Sequence, residues 1–140
     1  MPADTSPDPG PGKDPVQARV ALFTDCGFAR MMGLTVAEAR DGYARILMPA
    51  AGKQNPHGVI HGGAIFTLAD QAFAIAANAG GKDRVAVSAS IQFVAPASGD
   101  LEAVATFVGN CGNYWTYRII VSEGKRLVAT FDGTAIQLSP

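Results

Sequence analysis

Asp70 is the one ionisable side chain in a stretch, Ala64 to Ala79, that reads as a helix and is apolar on almost every side. A carboxyl group placed there loses hydration, which is costly unless it is hydrogen-bonded, paired or protonated. The same loss makes the carboxylate a better base than a solvated one. Immediately upstream stand His61, Gly62 and Gly63. Glycines opening a helix leave backbone N–H groups free and let a ligand approach the chain closely, and the helix dipole adds partial positive charge there. Such an end can polarise a carbonyl oxygen, which is oxyanion-hole chemistry. The structural alternatives are close helix–sheet packing for the glycines and a hydrogen-bonded subunit seam for Asp70.

Spacing decides how the two features could cooperate. Gly62 and Asp70 are eight residues apart, which on a helix is about 12 Å along the axis. A base and an oxyanion donor acting on one carbonyl must each lie about 3 Å from the reacting atoms. One helix cannot supply both. Two antiparallel copies can, because the start of one then faces the middle of the other. The expectation is a homodimer with active sites at the subunit interface, Gly62 from one chain and Asp70 from the other.

The flanking sequence must build a frame for that helix. Asp14-Pro15 is a good helix start, and apolar spacing from Val16 carries a single helix to about Met32, with Gly33 to end it. Residues 34 to 50 read as two short strands hinged at Asp41-Gly42. After the long helix, four strand-like segments follow, separated by short turn-rich links that favour antiparallel neighbours. In the first of them, Val85, Val87, Ala89, Ile91 and Phe93 alternate with Ala86, Ser88, Ser90 and Gln92. A helix apolar all round must be covered all round. The fold class is therefore α+β: a long central helix wrapped by a curved antiparallel β-sheet, with an additional N-terminal helix and a second copy covering what remains.

Composition sets the outer bounds. The chain has 140 residues and a net charge of −1, enough for one cored domain and without the basic surface a nucleic acid demands. Residues 1 to 13 are Pro-rich and polar and read as a disordered tail, leaving residues 14 to 140 as the domain. No apolar run suggests a membrane span or a secretory signal, and Cys26 and Cys111 lack metal or redox spacing. A cytoplasmic protein with reduced thiols is expected.

The segment N-P-H-G-V-I-H-G-G-A-I-F-T-L-A-D-Q-A, residues 55 to 72, resembles the signature of hotdog-fold acyl-CoA thioesterases, specifically the phenylacetate-degradation (PaaI-like) branch. The element order is similar over roughly residues 15 to 138. The resemblance implies hydrolysis of acyl-CoA, aryl-acetyl or medium-chain, to free acid and CoA, with no metal or other cofactor. It also implies dimers that commonly pair into tetramers. It makes Asp70 the general base or nucleophile and the Gly62 N–H the oxyanion donor. Asn55 is expected to hold the attacking water, and His61 to order the loop or contact the thioester. Gly63 and Phe66 are expected substrate contacts. Some relatives carry a Ser or Thr early in the strand after the helix, where Ala86 stands here; Ser88, read as lying on the same face, is the expected substitute.

Several other residues have two readings. His57 and His61 are four apart, but Gly58 between them argues against a helical metal pair. Trp115 and Tyr117 share a strand face and suit core or interface packing, or an acyl pocket. Phe66, Leu68 and Phe73 suit a core or an acyl pocket. Lys82 and Arg84, like Lys125 and Arg126, suit solvated surface or the phosphates of CoA. Two rival functions fit the same fold: an enoyl-CoA hydratase or dehydratase, and a non-catalytic acyl-CoA-binding module.

Overall fold

The computed structural model describes residues 14–139; the expected tail, residues 1 to 13, lies outside them. The order of elements is α1 (Pro15–Thr24), α2 (Gly27–Met31), β1 (Thr35–Arg40), β2 (Tyr43–Met48), α3 (Gly62–Asn78), β3 (Arg84–Phe93), β4 (Leu101–Cys111), β5 (Tyr114–Glu123) and β6 (Arg126–Gln137). The strands form one antiparallel sheet in the order β1-β2-β4-β5-β6-β3. Helix α3 touches every strand of it. The expected α+β architecture, a central helix wrapped by an antiparallel sheet, is what the chain forms.

Small side chains set the depth of that embrace. On the sheet face against α3 stand Ala44, Ala103, Ala105, Ala129 and Ala135, all buried, with Gly133 at the point of closest approach. A β-carbon on Gly133 would lie 2.7 Å from the Phe73 ring. The ring fills that notch and also packs against Tyr117 and Phe131, at centroid distances of 5.5 and 6.0 Å. Tyr117 and Phe73 are therefore core, as is Leu68. Register shifts in β1, β3 and β4 bend the strands locally and help the sheet curl.

The N-terminal helix differs from the expected one. It breaks at Asp25–Cys26 into α1 and α2. Cys26 takes an extended conformation and its Sγ accepts from the Ala29 N–H, so it caps a new helix instead of continuing the old one. The Gln71 amide donates to the Phe23 carbonyl at 3.0 Å, anchoring the end of α1 to α3. That tertiary bond outweighs the local helical spacing. The β1–β2 hairpin follows expectation: Gly42 has a φ of +77°, and its N–H donates to the Ala76 carbonyl, tying the turn to the end of α3.

The notch supplies a stability test. Gly133→Ala is expected to cost about 1–3 kcal/mol through overpacking against a buried ring. In urea unfolding, the second change Phe73→Leu should restore part of that loss; equal midpoints for wild type and Gly133→Ala would contradict the packing argument.

Candidate active site

The N-terminus of α3 is built by the loop between β2 and α3, and Asn55 organises that loop. Its Oδ1 accepts from the N–H groups of His57 at 2.9 Å and Val59 at 3.3 Å. Its backbone N–H donates to the Val59 carbonyl, while Gly58, at φ +80°, returns a bond to the Asn55 carbonyl. The Asn55 Nδ2 has no hydrogen-bond partner among the described residues. One amide face thus holds the loop and the other is left to a ligand or water.

His61 is the helix N-cap. Its Nδ1 accepts from the Gly63 N–H at 2.8 Å, a bond that requires neutral imidazole with its proton on Nε2. The next two N–H groups, of Ala64 and Ile65, reach the His61 carbonyl. Gly62 is different: its N–H has no acceptor among the described residues. Both glycines are closely approached by side chains. A β-carbon on Gly63 would come within 3.0 Å of His61 Nδ1, and one on Gly62 within 3.3 Å of the Phe93 ring. Among the described residues, Gly62 therefore presents an unfilled N–H, and His61 caps the helix through Gly63.

Asp70 lies two turns further along. Seen down the axis, Gly63, Phe66, Thr67, Asp70 and Ala74 form one stripe, and each is at least partly uncovered while the rest of the helix body is largely buried. The carboxyl group is half-buried, has no hydrogen-bond or ion-pair partner among the described residues, and burial raises its pKa above the ordinary 3.8. About 12 Å of helix still separates it from Gly62, so one chain does not bring the two together.

The remaining expected contacts divide. Phe66 presents an exposed ring, edge-on to Phe131 at 5.3 Å. Ser88 does not replace the missing polar group at Ala86. The register of β3 on β6 slips between Ala86 and Ser88, so Ala86 pairs with buried Ala135 while Ser88 pairs with Thr134. Paired residues share a face. The bulge at Val87 therefore turns Ser88, with Ser90 and Gln92, away from α3, and strict alternation missed it. Lys82 is exposed in the turn after α3. Arg84 is held inward, donating to the Ala77 carbonyl at 3.1 Å and the Tyr117 hydroxyl at 3.3 Å. Phe93 was not singled out from the sequence, because the alternation of β3 gives its face but nothing about the glycine it covers.

The burial of Asp70 has a measurable consequence. Because its folded pKa is raised, the native state holds a proton that the unfolded state has released, and stability falls as pH rises through that interval. Asp70→Asn should thus be more stable than wild type near pH 7, with the gap closing below the ordinary value of 3.8. Denaturant unfolding at both pH values checks this; an unchanged or reduced stability of Asp70→Asn near neutrality would contradict it.

Comparison with known proteins identifies the family and fold. Residues 57–129 match the family model described as the Thioesterase superfamily. The acyl-coenzyme A thioesterase PaaI of Escherichia coli is 32% identical over 117 residues, covering 81% of this chain and 84% of that protein. A putative esterase of Deinococcus radiodurans is 35% identical over 121 residues, covering 84% and 83% respectively. The solved structure of the E. coli PaaI protein from the phenylacetic acid degradation operon superposes with a TM-score of 0.83 at 28% identity, covering 89% of this chain and 94% of that one. The chain belongs to the thioesterase superfamily, with the hotdog fold of its PaaI-like members.

Proposed function

We propose that the protein hydrolyses acyl-CoA thioesters at a site shared by two copies of the chain. The observation that carries this is the Asp70 carboxyl, without a partner among the described residues, on the uncovered stripe of α3, the same helix whose Gly62 N–H has no acceptor among them. Kinship with the acyl-coenzyme A thioesterase of E. coli supports the substrate class. Strand β3 supports the dimer: it is a ten-residue edge strand next to β6 only, and it carries exposed Val85 and Val87. An unpaired edge of that length is a template for another strand. Two copies joined there in antiparallel fashion set their α3 helices side by side, Asp70 of one toward Gly62 of the other. The motif resemblance of residues 55 to 72 implies that such dimers pair further into a dimer of dimers.

In that site the Gly62 N–H, backed by the helix dipole, polarises the thioester carbonyl. Water attacks the carbonyl carbon and Asp70 takes its proton; direct attack by the carboxylate, with water resolving the anhydride, is the other route open to the same group. The tetrahedral oxyanion rests on the Gly62 N–H, the C–S bond breaks, and CoA leaves as thiolate. Asn55 holds the water through its free Nδ2, and His61 keeps the donor in place. Gly63 borders the substrate, and the exposed rings of Phe66 and Phe93 beside the donor favour an aryl-acetyl or medium-chain acyl group. A hydratase would instead add water across a carbon–carbon double bond and release no thiol.

Thiol release across a panel of acyl-CoAs tests the proposal. Asp70→Asn should lower turnover by about 10²–10⁴-fold, the usual range for a removed general base. The wild-type rate should climb with pH through the raised pKa of Asp70, because only the ionised form accepts a proton. Full turnover by Asp70→Asn on every thioester would sink the mechanism.

A further inference from the structure

The Gly62 N–H owes its direction to the peptide it belongs to. In a trans peptide the C=O and N–H point opposite ways, and the His61 carbonyl is held into the helix by two donors, the N–H groups of Ala64 at 2.9 Å and Ile65 at 3.2 Å. The chain just before is pinned as well. The His61 N–H donates to the Lys53 carbonyl and the Ile60 N–H to the Ala97 carbonyl, both at 2.7 Å. The Gly62 N–H is therefore aimed out of the start of α3 and is not free to turn toward a partner of its own.

The segment that leads to Ala97 begins at Phe93. Strand β3 ends on that residue, and the next two N–H groups, of Val94 at 2.8 Å and Ala95 at 3.1 Å, converge on the Val128 carbonyl. The backbone from which the ring projects is thus fixed. Its tip reaches Gly62: a β-carbon there would lie 3.3 Å from Cζ and 3.4 Å from Cε1. Yet Phe93 is 57% exposed, takes no part in the hydrophobic core and stacks on no other ring among the described residues. Core packing does not account for its place over Gly62.

We propose that Phe93 is a positioning residue for the oxyanion, its ring keeping water off the Gly62 N–H and leaving the approach to a thioester carbonyl. A donor that need not shed water as charge develops, and that acts in a lower dielectric, stabilises an oxyanion more strongly. The catalytic half of this rests on the thioesterase reading above; the cover over Gly62 does not. Phe93 ends the strand whose edge the proposed dimer pairs, so the assembly that brings Asp70 toward Gly62 also encloses the ring.

Amide exchange and turnover test the two halves separately. In the full chain, carbonyl-labelled histidine with amide-labelled glycine marks only Gly58 and Gly62, the two glycines that follow a histidine. By NMR, Phe93→Ala should speed exchange of the Gly62 amide with water about tenfold and leave Gly58 unchanged, with Phe93→Leu near wild type. In thiol release, Phe93→Ala should lower kcat about tenfold on acetyl-CoA and phenylacetyl-CoA alike, less than the roughly 10²–10³-fold of a donor removed outright, and Phe93→Leu should keep most of the rate. A ring that only bound the acyl group would instead raise KM, and for phenylacetyl-CoA alone. Gly62→Ala keeps the N–H, at a backbone φ open to any residue, but drives a methyl toward the ring tip; adding Phe93→Leu should recover part of the kcat it loses. Unchanged Gly62 exchange in Phe93→Ala overturns the proposal, as does a loss confined to KM. Faster exchange in Phe93→Ala, in a protein whose wild type releases no thiol from any acyl-CoA, upholds the cover and removes the thioesterase reading together with the catalytic half.

Discussion

Six strands close around α3 because small residues on both surfaces make room, with the Phe73 ring seated in the notch at Gly133. The helix offers Ala64, Ala69, Ala72, Ala76 and Ala77, and the sheet answers with Ala44, Ala103, Ala105, Gly133 and Ala135. Small-on-small packing brings the backbones together and leaves the larger groups, Phe73, Leu68, Ile75 and Tyr117, to fill the gaps on either side. The close fit has a second effect. A sheet curled tightly around a helix covers most of its circumference but not all of it, and the residual stripe is narrow. Asp70 sits in that stripe. Its carboxyl group is enclosed enough to lose much of its hydration and open enough to meet something from outside the chain.

The desolvation of a lone carboxylate would usually be relieved by a partner. Here none of the described residues supplies one, and the result is a group that favours its proton more than an ordinary aspartate does. In the proposed mechanism that cost is functional, since a base that holds its proton more firmly is a stronger base. The glycines at the start of α3 follow a parallel logic. Gly63 is spent on the His61 cap, and Gly62, pressed under Phe93, keeps its N–H unfilled. Both features are unfavourable for the isolated chain, and both find a use in the proposed site between two copies.

The parts of this arrangement that depend on local chemistry were legible in the sequence. The hairpin at Asp41-Gly42, the turn-bounded strands and the long helix follow from turn residues and periodicity within a few positions. The Gly62 and Asp70 features are likewise local, one a helix start and the other a charge in an apolar run. What escaped depends on partners distant in the chain. Nothing near Cys26 announces that Gln71 will hold the Phe23 carbonyl and end α1 early. The bulge that turns Ser88 outward is set by the register of β3 on β6, some forty-five residues downstream in numbering, and a strict period of two cannot anticipate it. Phe93 over Gly62 and Arg84 over Trp115 are contacts between elements, so residue type alone left their roles open.

The two ends of α3 are finished in opposite ways, and the contrast orders the whole site. At the C-terminus every late carbonyl is met: Ala74 by the Asn78 side chain, Ile75 by the Ala79 N–H, Ala76 by Gly42, Ala77 by Arg84 and Asn78 by Arg19. At the N-terminus one donor is left over. A helix whose only concern was stability would cap both ends fully, because each uncapped group costs free energy. Here the saturated end gathers cations and aromatic rings around a cavity, and the unsaturated end exposes a single N–H beside exposed rings. The helix dipole then acts at one place only, where the positive end is bare. Arg84 and Arg19 at one end and the unfilled Gly62 N–H at the other are thus separated along one helix, with Asp70 between them.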